Sequence, residues 1–219
     1  MPKFEAPWGW SKLDTFRKCK KQFEYQYIQK LPQPGNDAMA RGNEMHETIE
    51  AYLQGWIVDL PPELAEWKEA FDALKTSNFT AEQAIGLDNH WNVLPDWFDK
   101  RTWLRAKMDA KILKDKDTLR VIDFKSGKYR IPSEDQVELY AIVGYAMHPE
   151  VKTVKAEFWF IDQNDSYMRE YSAEELERLK TKYEKAAEAL YNTEVWVENP
   201  SRECKWCTYS KSKGGPCKF

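Results

Sequence analysis

Two stretches of alternating hydrophobicity, separated by a short polar loop, constrain this chain more than any other feature. In residues 103–112, Ala106, Met108, Ala110 and Ile112 share one face of an extended strand, while Arg105, Lys107, Asp109 and Lys111 share the other. In residues 119–125, Val121, Asp123 and Lys125 fall on one face and Ile122 and Phe124 on the opposite one. The loop between them, 114–118 (Lys-Asp-Lys-Asp-Thr), suits a hairpin, so the two strands are expected to pair antiparallel. That pairing brings Asp109 and Asp123 together beside Lys125. Two carboxylates and a lysine form a set suited to a hard divalent cation and to hydrolysis of a phosphodiester.

The flanking sequence alternates helical and extended patterns, as an α/β fold does. Ser11-Lys-Leu-Asp14 reads as a cap opening a helix over 11–28, with Leu13, Phe16, Phe23 and Tyr27 on one face. The Pro- and Gly-bearing stretch 31–36 ends it, and a second helix over 38–54 carries Gly42, Met45, His46, Ile49 and Leu53 along one stripe. A short helix is expected over 62–75 and a strand over 80–87, where Glu82 reads as a surface residue with an acidic contribution to the site as the alternative. Ser133 and Gln136 resemble a capping box opening a helix to His148, 154–161 reads as a strand, and Ser172 and Glu175 cap a last helix burying Leu176, Leu179, Tyr183, Ala186 and Leu190. At 219 residues, 1–219 reads as a single domain.

Singly, these polar residues have ordinary explanations: an ion pair on a strand, a histidine bonded in a core, a glutamine closing a cap. Their order is more specific. Gly42-x-x-x-His46, then Asp109, then Asp123-Phe124-Lys125 followed by Gly127, then Gln136-x-x-x-Tyr140 resembles the RecB-type exonuclease branch of the PD-(D/E)xK nuclease superfamily. The resemblance spans roughly residues 8–217. It implies a restriction-endonuclease-like mixed central β-sheet flanked by helices. It further implies that His46, Asp109, Asp123 and the main-chain carbonyl of Phe124 bind Mg²⁺ or Mn²⁺, that Lys125 orients or deprotonates the attacking water, and that Gln136 and Tyr140 support the site or contact DNA. The chain departs from the branch at Met108, where proline is common, and at Ala106, where glycine is frequent. Neither change removes a ligand.

The four cysteines bracket these motifs: Cys19 precedes them, and Cys204-Lys-Trp-Cys207 and Cys217 follow. The C-x-x-C spacing with a third cysteine nearby reads as metal ligation, with Cys19 as fourth thiolate if the two ends of the chain meet. Residues 11–30 and 199–219 would then form a cysteine-stapled lobe. Resemblance to CRISPR-associated and AddB-like nucleases implies a [4Fe-4S] cluster, and tetrahedral zinc fits the same spacing. Net charge is −3, so any nucleic-acid contact must be local. Arg17, Lys20 and Lys21 around Cys19, with Lys205 beside Cys204, are the candidate DNA-binding residues.

The resulting expectation is a metal-dependent exonuclease acting on DNA ends or single strands in bacterial or phage recombination, repair or DNA processing. The alternative is a DNA-binding or assembly module that works with a protein partner. No apolar run approaches a membrane span and the N-terminus lacks signal-peptide form, which points to the cytoplasm of a bacterial or phage-infected cell.

Overall fold

Five strands form one sheet in sequence order: β1 (Phe79–Leu87), β2 (Leu104–Leu113), β3 (Thr118–Lys125), β4 (Thr153–Phe160) and β5 (Asp165–Ser172). The computed structural model describes residues 3–35, 37–127 and 134–219. The hairpin is present: β2 and β3 pair antiparallel from Leu113↔Leu119 to Ala110↔Ile122. β1 runs antiparallel to β2, β3 parallel to β4, and β4 antiparallel to β5, so the sheet is mixed. Parallel strands need a long crossover. Helix α5 (Glu134–Met147) supplies it between β3 and β4. Ser133, the expected cap of this helix, lies outside the described residues.

The helices are α1 (Trp10–Lys18), α2 (Lys20–Phe23), α3 (Asp37–Leu53), α4 (Lys68–Lys75), α5 and α6 (Leu176–Tyr191). The chain divides into two compact units, Met1–Gly35 with Thr181–Phe219, and Asn36–Lys180. In the second unit the alternation of β2 and β3 sorts residues between the two faces of the sheet. Ala110, Ile112, Ile122 and Phe124 pack with Met45, Ile49, Tyr52 and Leu53 of α3 and with Leu64, Trp67, Phe71 and Leu74. Fully burying one such aliphatic or aromatic side chain is worth about 1.5–3 kcal/mol. Trp67 closes this layer by donating its indole N–H to the Ile161 carbonyl at 3.1 Å. Asp123 and Lys125 face the other way, toward α5. That helix is apolar nearly all round and buries every residue from Val137 to Tyr145.

In the first unit, the expected helix over 11–28 is interrupted. Cys19 is extended, with φ −160° and ψ 111°, between α1 and α2, and residues Glu24–Ile28 continue as a π-helix. Groups at the break bond instead to the C-terminal segment: Lys21 N–H to the Val197 carbonyl at 3.0 Å, and the Asn199 amide to the Lys18 carbonyl at 2.9 Å. An aromatic core of Phe4, Phe16, Phe23 and Trp196 fills this unit, with Phe23 stacked on Trp196 at 5.4 Å.

Candidate metal centre and active site

The site forms where β2 and β3 part company. Beyond Ala110↔Ile122 the ladder stops, and Asp109 fills the gap by accepting the Phe124 N–H on Oδ2 at 2.7 Å. Its Oδ1 lies 3.3 Å from His46 Nδ1. His46 reaches this point because α3 runs close to the turn after β3. A Cβ on Gly42 would sit 3.2 Å from Ser126 Oγ, so alanine there would require that side chain to give by a few tenths of an ångström. Asp162 ties the same corner together, accepting both guanidinium arms of Arg41 at 2.7 and 2.5 Å and the Gly127 N–H at 2.5 Å.

Asp123 anchors a second group of contacts. Its Oδ2 pairs with Lys125 Nζ at 2.5 Å, and its Oδ1 accepts from the Tyr140 hydroxyl and from Gln136 Nε2 at 3.3 Å. Gln136 also accepts from Lys125 Nζ at 3.1 Å, and its amide donates to the Tyr140 hydroxyl at 2.9 Å. Placement of Gln136 and Tyr140 at i and i+4 on α5 lets both reach one carboxylate. The structure therefore brings His46, Asp109, Asp123, Lys125, Gln136 and Tyr140 into one contiguous cluster.

Its electrostatics are those of crowded negative charge. Burial, then the charge of Asp123, raises the Asp109 carboxyl above its ordinary pKa, partly offset by His46. Burial opposes protonation of His46, yet the hydrogen bond to Asp109 and the charges of Asp109, Asp123 and Glu82 outweigh it and raise the imidazole pKa. Burial and the two aspartates push the Tyr140 phenol well above its usual value, which keeps it a proton donor to Asp123. Buried carboxylates that repel one another fit a divalent cation.

Glu82 was the residue least visible in the sequence. It lies between the Ala81↔Ala110 and Gln83↔Met108 pairs of β1 and β2, as Asp109 does on β2, and is half-buried with φ +49°, a left-handed conformation unusual for glutamate. One ligand atom each from His46, Glu82 and Asp109 lie within 4.8 Å of one another, the geometry of a metal-binding trio. An ion pair to Lys107 holds the Glu82 carboxylate. Only the strand register reveals Glu82 as Asp109's neighbour; its local sequence carries no such signal.

In the first unit, Cys19, Cys204, Cys207 and Cys217 line one cavity of about 170 Å³. Burial raises the Cys207 thiol pKa, and the other three cysteines add to the shift. Cys204 Sγ accepts the Ser201 N–H at 3.4 Å. A Cβ on Gly215 would lie 2.3 Å from the Tyr209 carbonyl carbon, so only glycine permits the turn that returns Cys217 to Tyr209. Of the candidate DNA-binding residues, Arg17, Lys20 and Lys21 flank Cys19, and Lys205 follows Cys204. Lys21 is paired to Glu24 at 2.6 Å, while Lys20 and Lys205 each lie 5.1 Å from a ring centroid, of Phe16 and Trp206 respectively.

No helix among the described residues is long and apolar enough to cross a membrane. A model of the PD-(D/E)XK nuclease superfamily matches residues 7–212. Among solved structures, SSO0001 is similar over 100% of this chain and 90% of its own, with TM-score 0.57 and 16% identity. A protein described as "Putative exonuclease" from Eubacterium rectale is similar over 97% of this chain and 89% of its own, with TM-score 0.55 and 10% identity. No curated protein sequence matches the chain.

Proposed function

The chain belongs to the PD-(D/E)XK nuclease superfamily, and on that premise we propose that it is a metal-dependent deoxyribonuclease, an exonuclease acting at DNA ends or on single strands in bacterial or phage recombination, repair or DNA processing. The observation that carries this reading is the convergence of Asp109, Asp123 and Lys125 in the gap between β2 and β3. Asp109, Asp123, His46 and the Phe124 carbonyl would hold Mg²⁺ or Mn²⁺, and Glu82 has a carboxylate oxygen within 4.8 Å of ligand atoms of His46 and Asp109. When bound, the cation lowers the pKa of its water and neutralises charge developing on the phosphorus oxygens.

The protein's own groups do the rest. Asp123 and Gln136 grip the Lys125 ammonium and aim it across the site. From there Lys125 orients the attacking water as an ammonium, or accepts its proton as the neutral amine. Tyr140 and Gln136 fix the Asp123 carboxylate through the oxygen that Lys125 does not use. His46 donates to Asp109 from the opposite side.

We propose a [4Fe-4S] cluster on Cys19, Cys204, Cys207 and Cys217. The four cysteines line one cavity of about 170 Å³, which supports a metal centre there, with tetrahedral zinc as the alternative. The cluster would staple the C-terminal tail to the α1–α2 break and need carry no electrons. Arg17, Lys20, Lys21 and Lys205 would add phosphate contacts.

Matched linear and circular single-stranded DNA, incubated with Mg²⁺, Mn²⁺ or EDTA, tests the reading. An exonuclease degrades the linear form with metal and spares the circle. Loss of both forms would replace it with an endonuclease, and loss of neither, with DNA still bound, would favour an assembly module.

A further inference from the structure

The sheet face that carries Asp109 also carries Arg105, four residues earlier on β2. At about 3.3 Å per residue the two lie roughly 13 Å apart along the strand. Above Arg105 stands the loop that joins β1 to β2, and this loop is firmly built. Leu94 N–H bonds to the Gly86 carbonyl at 2.9 Å, and Trp103 N–H bonds to the Leu87 carbonyl at 2.8 Å. Asp96 accepts the Phe98 N–H at 2.8 Å, which fixes the turn on which the Phe98 ring is mounted.

So ordered a loop could turn its aromatic ring inward, yet Phe98 is 76% exposed. The Arg105 guanidinium lies 5.1 Å from the Trp97 ring and 5.3 Å from the Phe98 ring, and its Nε donates to the Trp97 carbonyl at 3.2 Å. Among the described residues Arg105 forms no ion pair with a carboxylate. The nearby Asp99 is already matched by Arg101 at 2.7 Å. A cation with unspent charge is thus held against an exposed aromatic face.

We propose that Trp97, Phe98 and Arg105 form a stacking platform for one unpaired nucleobase of the strand being cut, with the guanidinium meeting its adjacent phosphate. This rests on the nuclease reading and deepens it, because it names the substrate as single-stranded near the cut. Bases inside a duplex are stacked on their neighbours and have no free face to offer. A ring and a guanidinium fixed before binding take up such a base with little ordering cost. The spacing places the stacked base a short run of nucleotides from the scissile phosphate.

Single-stranded oligonucleotides carrying 2-aminopurine at successive positions from the end test this. The full-length Lys125→Ala protein serves for binding, and enzyme with native Lys125 serves for cleavage. Fluorescence should be quenched at one register, lost with Phe98→Ala, and restored with Phe98→Trp. In the cleavage arm Phe98→Ala should raise KM for single-stranded DNA about ten-fold or more while kcat holds. Phe98 is exposed, so the fold should survive the change. If wild-type enzyme cuts single strands and Phe98→Ala matches it in KM and in every 2-aminopurine position, the platform is refuted and the nuclease stands. If wild-type enzyme cuts no DNA, the nuclease reading fails first and the proposal with it.

Discussion

Asp109 Oδ2 accepts the backbone N–H of Phe124 at 2.7 Å, at the point where β2 leaves β3. One side chain here takes over a hydrogen bond that the strand ladder no longer makes. Phe124 lies between Asp123 and Lys125, so this bond helps fix the peptide from which both functional side chains spring. A carboxylate that serves the backbone and the site at once ties the fold of the hairpin to its chemistry.

Removing the Tyr140 hydroxyl separates support from chemistry. Tyr140→Phe leaves Asp123 Oδ1 with only the longer Gln136 contact. An under-satisfied buried acceptor costs about 1–3 kcal/mol. The variant should lose several degrees in Tm and several-fold in kcat, with KM little changed. Thermal melts and steady-state kinetics check both.

Asp109→Asn should abolish metal-dependent cleavage and yet stabilise the metal-free protein. The Asp109 pKa is raised in the fold, by burial and by Asp123, so the folded state holds a proton there more readily than the unfolded state. Its ionisation therefore costs stability as pH rises above the ordinary carboxylate value of about 4. The amide oxygen can still accept the Phe124 N–H. Denaturation at several pH values should show the variant's advantage opening as pH rises and vanishing in acid. For the wild type, saturating Mn²⁺ should recover the loss.

Glu82→Gln keeps the shape of the trio and removes one charge from it. Activity should then need about ten-fold more Mn²⁺ for half-saturation, with maximal kcat approached at high metal. Metal titration of cleavage measures it. An unchanged titration would leave Glu82 as a partner of Lys107 alone.

Cys204→Ser removes one cluster ligand. Protein purified without oxygen should be brown with broad visible absorption, and the variant should lose that colour and melt earlier. Colourless wild-type protein carrying stoichiometric zinc would contradict the iron–sulfur assignment.

How much of this was legible follows from where the determining contacts lie. Period-2 alternation and a five-residue polar loop belong to neighbouring residues, so β2, β3 and the meeting of Asp109 with Asp123 could be read directly. Gln136 and Tyr140 were legible for the same reason, being one helical turn apart. Three features depend on remote partners. Helical periodicity runs through residues 11–28, but Val197 takes the Lys21 N–H and Asn199 the Lys18 carbonyl, on either side of the break at Cys19. Strand β5 is an edge strand of mainly polar residues, with only Tyr171 buried, and carries almost no apolar alternation. Glu82 becomes significant only through a left-handed backbone and a register set by β2.

The most direct measurement compares wild-type protein and Lys125→Ala on end-labelled single- and double-stranded DNA with Mn²⁺, Mg²⁺ or EDTA. Lys125 is one-third exposed, and its ammonium meets only Asp123, Gln136 and, at 4.9 Å, the Phe158 ring, so circular dichroism should confirm an intact fold. Cleavage by the wild type should require metal and fall at least about 100-fold in the variant, with DNA still bound. Cleavage by Lys125→Ala at the wild-type rate would contradict this role of Lys125.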